Sequence, residues 1–295
     1  MTQRHAGLLF LLLCVAGWGS NWPVVKLLLG EMPPMATRAY AGMLAAGGFM
    51  LAARLLGVPL AVPRALRGRL VLYALLNVGA WMCFVTLALL WLSSSEGVII
   101  ASLAPVIAMG LSWVMLGERP RRDKLAGMAL SVGSITLLFA GRGVEVGLAK
   151  LPGFALLLAA AFLFAFATVR AKRKPLPLHP MAAAAWQLGI GMAPLLLWSL
   201  LFEEVAWAAL PARDWALLGW TALVPLGLAY MGWFGALQRL PATTASMGTL
   251  LVPVVGVLGS VAVLGEAVGW REGAALLGAM AGVALALRPE PPPRP

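Results

Sequence analysis

Charge is what this sequence lacks most: Asp, Glu, Lys and Arg make up 11% of its 295 residues, against 61% for the apolar types. A soluble domain carries about a quarter charged residues, so that class is excluded. Histidine is reduced to His5 and His179, and cysteine to Cys14 and Cys83, each cysteine within an apolar run. That excludes a disulfide framework and leaves no His/Cys set with metal-ligand spacing. Neither a nucleophile motif nor a nucleotide-binding glycine loop occurs, so no catalytic residue, no metal and no cofactor is expected, and the chain does not read as an enzyme. The 11 acidic residues all stand at or beyond the ends of apolar runs. This removes the mid-membrane carboxylate that proton-coupled carriers commonly use, and favours a neutral or zwitterionic solute.

Apolar sequence, by contrast, comes in long runs. A helix rises about 1.5 Å per residue, so about twenty residues cross the hydrocarbon of a bilayer. Ten segments qualify: 6–29, 35–55, 70–92, 96–116, 124–141, 152–171, 179–201, 214–237, 243–264 and 272–287. The first is too long for a signal-peptide core and reads as a span. Proline and basic residues punctuate the breaks, as in "GERPRRDK" (117–124) and "RAKRKPLPLHP" (170–180). Ten crossings bring both ends to one side, whose loops and tails hold sixteen Lys and Arg against four on the other. The positive-inside rule makes that side cytoplasmic. It also accounts for the net charge of +11 as a topology signal, so nucleic acid is not an expected partner. The other two cations, Lys26 and Arg38, fall inside spans toward the outer side. Snorkelling to the surface is the simple expectation for both, and attraction of a carboxylate the functional one.

An offset of 148 aligns "LAPVIAMGLSWVMLGE" (103–118) with "LVPVVGVLGSVAVLGE" (251–266), and ten of 32 positions match between 87–118 and 235–266. Pro105 pairs with Pro253, Ser112 with Ser260, and the Leu-Gly-Glu ending recurs whole. A repeat of five helices reverses direction, so halves 1–147 and 148–295 are expected to be inverted, a recurrent plan of secondary transporters. The fold class is therefore an all-α membrane protein of ten transmembrane helices in two inverted five-helix repeats, with both termini cytoplasmic.

The span count, "WGSNWPVVK" in the first helix, the paired "P-x(11)-GE" endings and the doubled plan resemble the EamA-type exporters of the drug/metabolite transporter superfamily, including the YddG-like amino acid exporters. The resemblance implies a cavity between the halves, built chiefly by the third, fourth, eighth and ninth helices with help from the first and sixth. It also implies a bacterial inner membrane location.

Polar residues inside the spans are the candidates for lining such a cavity. Pro23 cannot donate to the Gly19 carbonyl, so the first helix is expected to bend beside Trp18, Ser20 and Asn21. In lipid an unpaired polar group costs several kcal/mol, whereas beside water, a ligand or another helix it is tolerated. Tyr73, Asn77 and Trp81 recur every four residues and share one helix face, suited to holding a small polar solute between aromatics. Tyr230 is the eighth-helix counterpart, with Trp233 as a further possibility. Pro105 and Pro253 would free the carbonyls of Ala101 and Thr249 as hinges, with Ser102, Ser246 and Thr249 close by. In the last helix Ala274, Gly278, Gly282 and Ala286 form a small-residue stripe that suits packing within the chain and also admits a homodimer. The function expected is export of a small-molecule substrate, amino acids first, through the bilayer by alternating access. A lipid or lipid-linked sugar translocase and a multidrug exporter are the alternatives on the same scaffold.

Overall fold

The computed structural model describes residues 3–118, 122–139, 144–240, 245 and 248–286. The regular structure among these residues is all helical, with no strand. In chain order the rods are α1 (Gln3–Leu28), α2 (Pro34–Leu55), α3 (Arg64–Ala88), α4 (Ser94–Leu116), α5 (Arg122–Phe139), α6 (Val144–Arg173), α7 (Pro180–Phe202), α8 (Ala212–Leu237), α9 (Leu251–Leu264) and α10 (Trp270–Ala286). Six of them, α1, α3, α4, α6, α7 and α8, are long and apolar enough to cross a membrane. Their outward faces carry bare Leu, Phe and Trp such as Leu12, Phe162, Trp198 and Phe202, as a lipid-facing surface requires.

Local chemistry sets the ends. Pro34 and Pro180 open α2 and α7 at a position where the missing N–H has no partner to lose. A capping box opens α4: the Ser93 hydroxyl accepts from Glu96 N at 3.1 Å, and Glu96 Oε2 accepts from Ser93 N at 3.1 Å. The two Leu-Gly-Glu endings stop α4 and α9 identically. Gly117 (φ +73°) and Gly265 (φ +65°) are left-handed, a conformation that penalises any Cβ, and their N–H groups return to Trp113 O and Val261 O at 3.1 Å each.

The halves also match in their irregularities. A π-turn spans Ala74–Ala80 within α3, and another spans Val224–Leu228 within α8 around Pro225. Widened turns of this kind concentrate at functional sites. α4 breaks between Ala101 and Ala104, immediately before Pro105, and a turn at 249–250 precedes α9 and Pro253. Packing follows the same exchange: α1 lies against α8 and α9, α6 lies against α3 and α4, α2 pairs with α7, and α5 pairs with α10. Glycine permits the closest approaches. A Cβ on Gly79 would meet Gly191 O at 2.8 Å and one on Gly191 would meet Ala74 O at 2.7 Å, which seats α7 on the π-turn of α3. The Gly278 and Gly282 face of the last helix is occupied by Ser134 and Ser131 of α5, so packing within the chain uses that stripe.

Contacts define two faces. The distal face carries the α1–α2 turn, the end of α3, the start of α4 and of α6, the end of α7, the start of α8 and the end of α9. The proximal face carries the starts of α1 and α3 and the ends of α4, α6 and α8.

Candidate functional site

Aromatic rings meet at two equivalent helix pairs. Between α1 and α8, the Trp18 ring meets Tyr230 edge-on (5.7 Å, 80°) and Trp233 at 5.9 Å. Between α3 and α6, Trp81 meets Phe164 at 5.0 Å. All five rings are half-buried. Asn21 lies one turn beyond Trp18, and Asn77 one turn before Trp81. The side-chain oxygens of both asparagines are fully enclosed and have no hydrogen-bond partner among the described residues. Acceptors left without donors can accept hydrogen bonds from an ammonium or hydroxyl of a small solute, and nearby rings can cover its apolar part.

Other expected site residues are committed elsewhere. Tyr73 is corrected: its ring is buried and its hydroxyl donates to Lys174 O at 2.8 Å, tying α3 to the end of α6. Ser20 and Ser102 bond back to their own helices, at Gly17 O (3.2 Å) and Ile99 O (2.5 Å). The latter bond braces the break in α4 before Pro105. The Thr249 carbonyl is not freed by Pro253, since Val252 N donates to it at 3.0 Å in the turn that starts α9. Pro253 is thus a helix-start residue; the Thr249 side chain remains half-buried nearby. α1 runs on through Pro23, whose ring packs toward Gly259. Ser246 lies outside the described residues.

The distal face holds a polar network that sequence reading missed. Glu266, after α9, accepts from Ser94 N (2.7 Å) and Ser95 N (3.0 Å), the first amides of α4. The Ser260 hydroxyl of α9 lies 2.8 Å from that of Ser94. Glu203, after α7, accepts from Met35 N (3.0 Å) and Ala36 N (2.8 Å) at the start of α2. Each carboxylate satisfies orphan amides and the positive end of a helix dipole. Lys26 does not snorkel: its ammonium donates to Leu89 O, and to Leu92 O at 3.0 Å, capping the end of α3. Lys150 of α6 holds the enclosed Glu96 carboxylate at 2.7 Å. Most of these contacts join residues before 148 to residues after it. At the proximal face the repeat counterpart of Glu266, Glu118, instead makes an exposed pair with Lys172 at 2.6 Å. The capping box at Ser93 was the one local signal for the network; its partners lie 166 to 172 residues away.

A separate groove of ≈ 670 Å³ opens between α4, α5 and α6, lined by Leu103, Val106, Ile107, Val132, Phe154 and Phe162 among others, with Lys150 on its wall. Val132 and Phe162 are exposed, so the groove opens sideways from the bundle.

Comparison with known proteins agrees with this architecture. A solved crystal structure superposes with a TM-score of 0.70 over 96% of both chains at 20% identity, a likeness of fold. A protein of Salmonella typhimurium named "Probable amino-acid metabolite efflux pump" is 31% identical over 299 residues, covering 95% of this chain and 94% of its own. One of the same name from Escherichia coli is 31% identical over 281 residues, covering 90% and 88%. The Bacillus subtilis "Uncharacterized transporter YoaV" is 23% identical over 240 residues, covering 81% and 82%. Residues 5–140 and 151–288 match the EamA-like transporter family, two stretches that share its description and together take in nearly the whole chain. With matched breaks, π-turns and glycine stops in its halves, this multi-pass membrane protein belongs to the EamA-like transporter family.

Proposed function

We propose that the protein is a secondary exporter of neutral and aromatic amino acids across a bacterial inner membrane. In this reading it crosses the membrane ten times with both ends in the cytoplasm. Its five-helix halves, 1–147 and 148–295, are inserted in opposite directions and work by alternating access. The proximal face is cytoplasmic and the distal face is outer. The single observation that carries the reading is the pair of enclosed, partnerless amide oxygens of Asn21 and Asn77, each one helical turn from an aromatic contact, Trp18 with Tyr230 and Trp233 at one helix pair and Trp81 with Phe164 at the other. Leaving each of these acceptors unpaired costs about 1–3 kcal/mol. A solute with an ammonium group supplies the donors. The names carried by the Salmonella and Escherichia relatives support the amino-acid class.

Alternating access draws support from the distal network. Glu266, Ser260 and Glu203, from the second half, hold the first turns of α4 and α2, from the first half. That fits a conformation shut on the outer side, whose opening separates these pairs. Uptake into proteoliposomes, screened over amino acids, nucleosides and organic cations with and without a pH gradient, tests the reading. Accumulation of neutral and aromatic amino acids is expected. Movement of nucleosides or cations alone would replace the substrate class.

A second reading, translocation of a lipid-like substrate, is favoured by one observation, the sideways groove between α4, α5 and α6. Faster flipping of a fluorescent phospholipid in the same vesicles would support it.

A further inference from the structure

Arg38, on the second turn of α2, has no evident use in the fold. It is 2% exposed, so the snorkelling expected from sequence does not occur. Its Nε donates to Thr86 Oγ1 at 2.7 Å, and Thr86 is itself fully buried in α3. Nη1 is enclosed and has no acceptor among the described residues, nor does Arg38 form any ion pair among them. Three other cations of the distal face are matched to oxygen: Lys26 to two carbonyls, Lys150 to Glu96, and Arg213 to Asp214 at 2.9 Å and Glu31 at 3.7 Å. Arg38 brings five N–H donors to one neutral hydroxyl.

A guanidinium sealed from water without a counter-charge is expensive, and for packing alone an unbranched apolar side chain would serve better. What the group offers is a planar fork that fits both oxygens of a carboxylate, at a strength a point charge does not match. Its place suits that use. Thr86 stands five residues beyond Trp81 on α3, about 7.5 Å nearer the distal face at the helical rise. Arg38 therefore lies between the aromatic site and the distal end of α3, which Lys26 caps.

We propose that Arg38 is a carboxylate-binding subsite on the exit route. Thr86 orients the fork through Nε, and Nη1 with its neighbour receives the carboxylate of the solute as the distal face opens. The subsite makes the protein selective for solutes that carry a carboxylate over the matching amines. The inference deepens the amino-acid reading and rests on it for the route, though not for the chemistry of the ligand.

The test uses three probes of one shape: phenylalanine, 3-phenylpropionate, which lacks the amino group, and phenethylamine, which lacks the carboxylate. Binding is read by thermal shift in detergent, and transport in proteoliposomes. Wild type is expected to bind both carboxylates about 10- to 100-fold tighter than the amine. Arg38→Met should fold, melt at or above the wild-type temperature because a buried unpaired charge is gone, and lose that preference. Arg38→Lys should keep part of it, and Thr86→Val should weaken it several-fold with the charge intact. A merely structural arginine predicts the reverse: Arg38→Met melting lower, with the ratio of carboxylate to amine unchanged. That result, or a wild type that binds neither carboxylate, overturns the subsite. If wild type transports no amino acid while 3-phenylpropionate still binds in an Arg38-dependent way, the export reading falls and the subsite stands. If phenylalanine is transported and Arg38→Met leaves the preference intact, the subsite falls and export stands.

Discussion

Glu118 and Glu266 close the same Leu-Gly-Glu motif 148 residues apart, each after a left-handed glycine whose N–H returns to the carbonyl four residues back. Beyond that shared stop they diverge. Glu266 reaches across to the amides of Ser94 and Ser95 on the other half, whereas Glu118 sits half-exposed against the solvated Lys172 ammonium. Local sequence fixes the stop, and the position of the opposite half fixes what the carboxylate meets. For a transporter with two matched halves this asymmetry is informative. Contacts between halves occur at both faces, but on the distal face Glu266 and Glu203 cap helix starts of the opposite half, whereas on the proximal face the Glu118–Lys172 pair is exposed.

Breaking the latched side should have the largest effect. Glu266→Ala removes a carboxylate shared by two helix-start amides and is expected to cost about 2–3 kcal/mol in detergent. It should also expose a cysteine placed at Ser260 to a membrane-impermeant thiol reagent added from the distal side. Unchanged melting and unchanged labelling would show that the latch does not hold. Glu203→Ala removes the matching cap on α2, where Pro33 and Pro34 already eliminate two of the orphan amides. A loss of about 1–2 kcal/mol is expected from the same melting measurement. Ser260→Ala should cost about 1 kcal/mol, the worth of one buried hydroxyl contact. Glu118→Ala is the control for the comparison. An exposed pair contributes about 0–1 kcal/mol, so its melting should hardly move, and a loss as large as that of Glu266→Ala would erase the asymmetry.

Much of the architecture was legible because bilayer-length apolar runs and paired proline and glycine stops are strong local signals. The segments read at 35–55, 179–201 and 214–237 match α2, α7 and α8 within two residues at most ends. α6 starts at Val144, well before the expected 152, since its first two turns are not apolar enough to count as a span. Asn21 and Asn77 stood out because an amide inside an apolar run demands a reason, and the side-chain oxygen of each is enclosed without a partner among the described residues. Tyr73 misled for the opposite reason. A tyrosine four residues from such an asparagine looks like its neighbour in a pocket, yet its hydroxyl finds the Lys174 carbonyl, 101 residues away. The π-turn of α3 has no local sequence mark beyond Gly79, whose missing side chain matters only against Gly191. Lys26 and Arg38 looked alike as cations near a span end, and only the end of α3, which the two approach from α1 and α2, shows that neither snorkels.

In the proposed export, the solute supplies the missing donors at Asn21 and Asn77. Transport of labelled phenylalanine into proteoliposomes by Asn77→Leu, set beside the melting temperature of the same variant, tests it most directly. Transport should fall at least about tenfold, with melting unchanged or raised because an unpaired amide oxygen has left the interior. Wild-type transport by that variant would place the route elsewhere in the bundle.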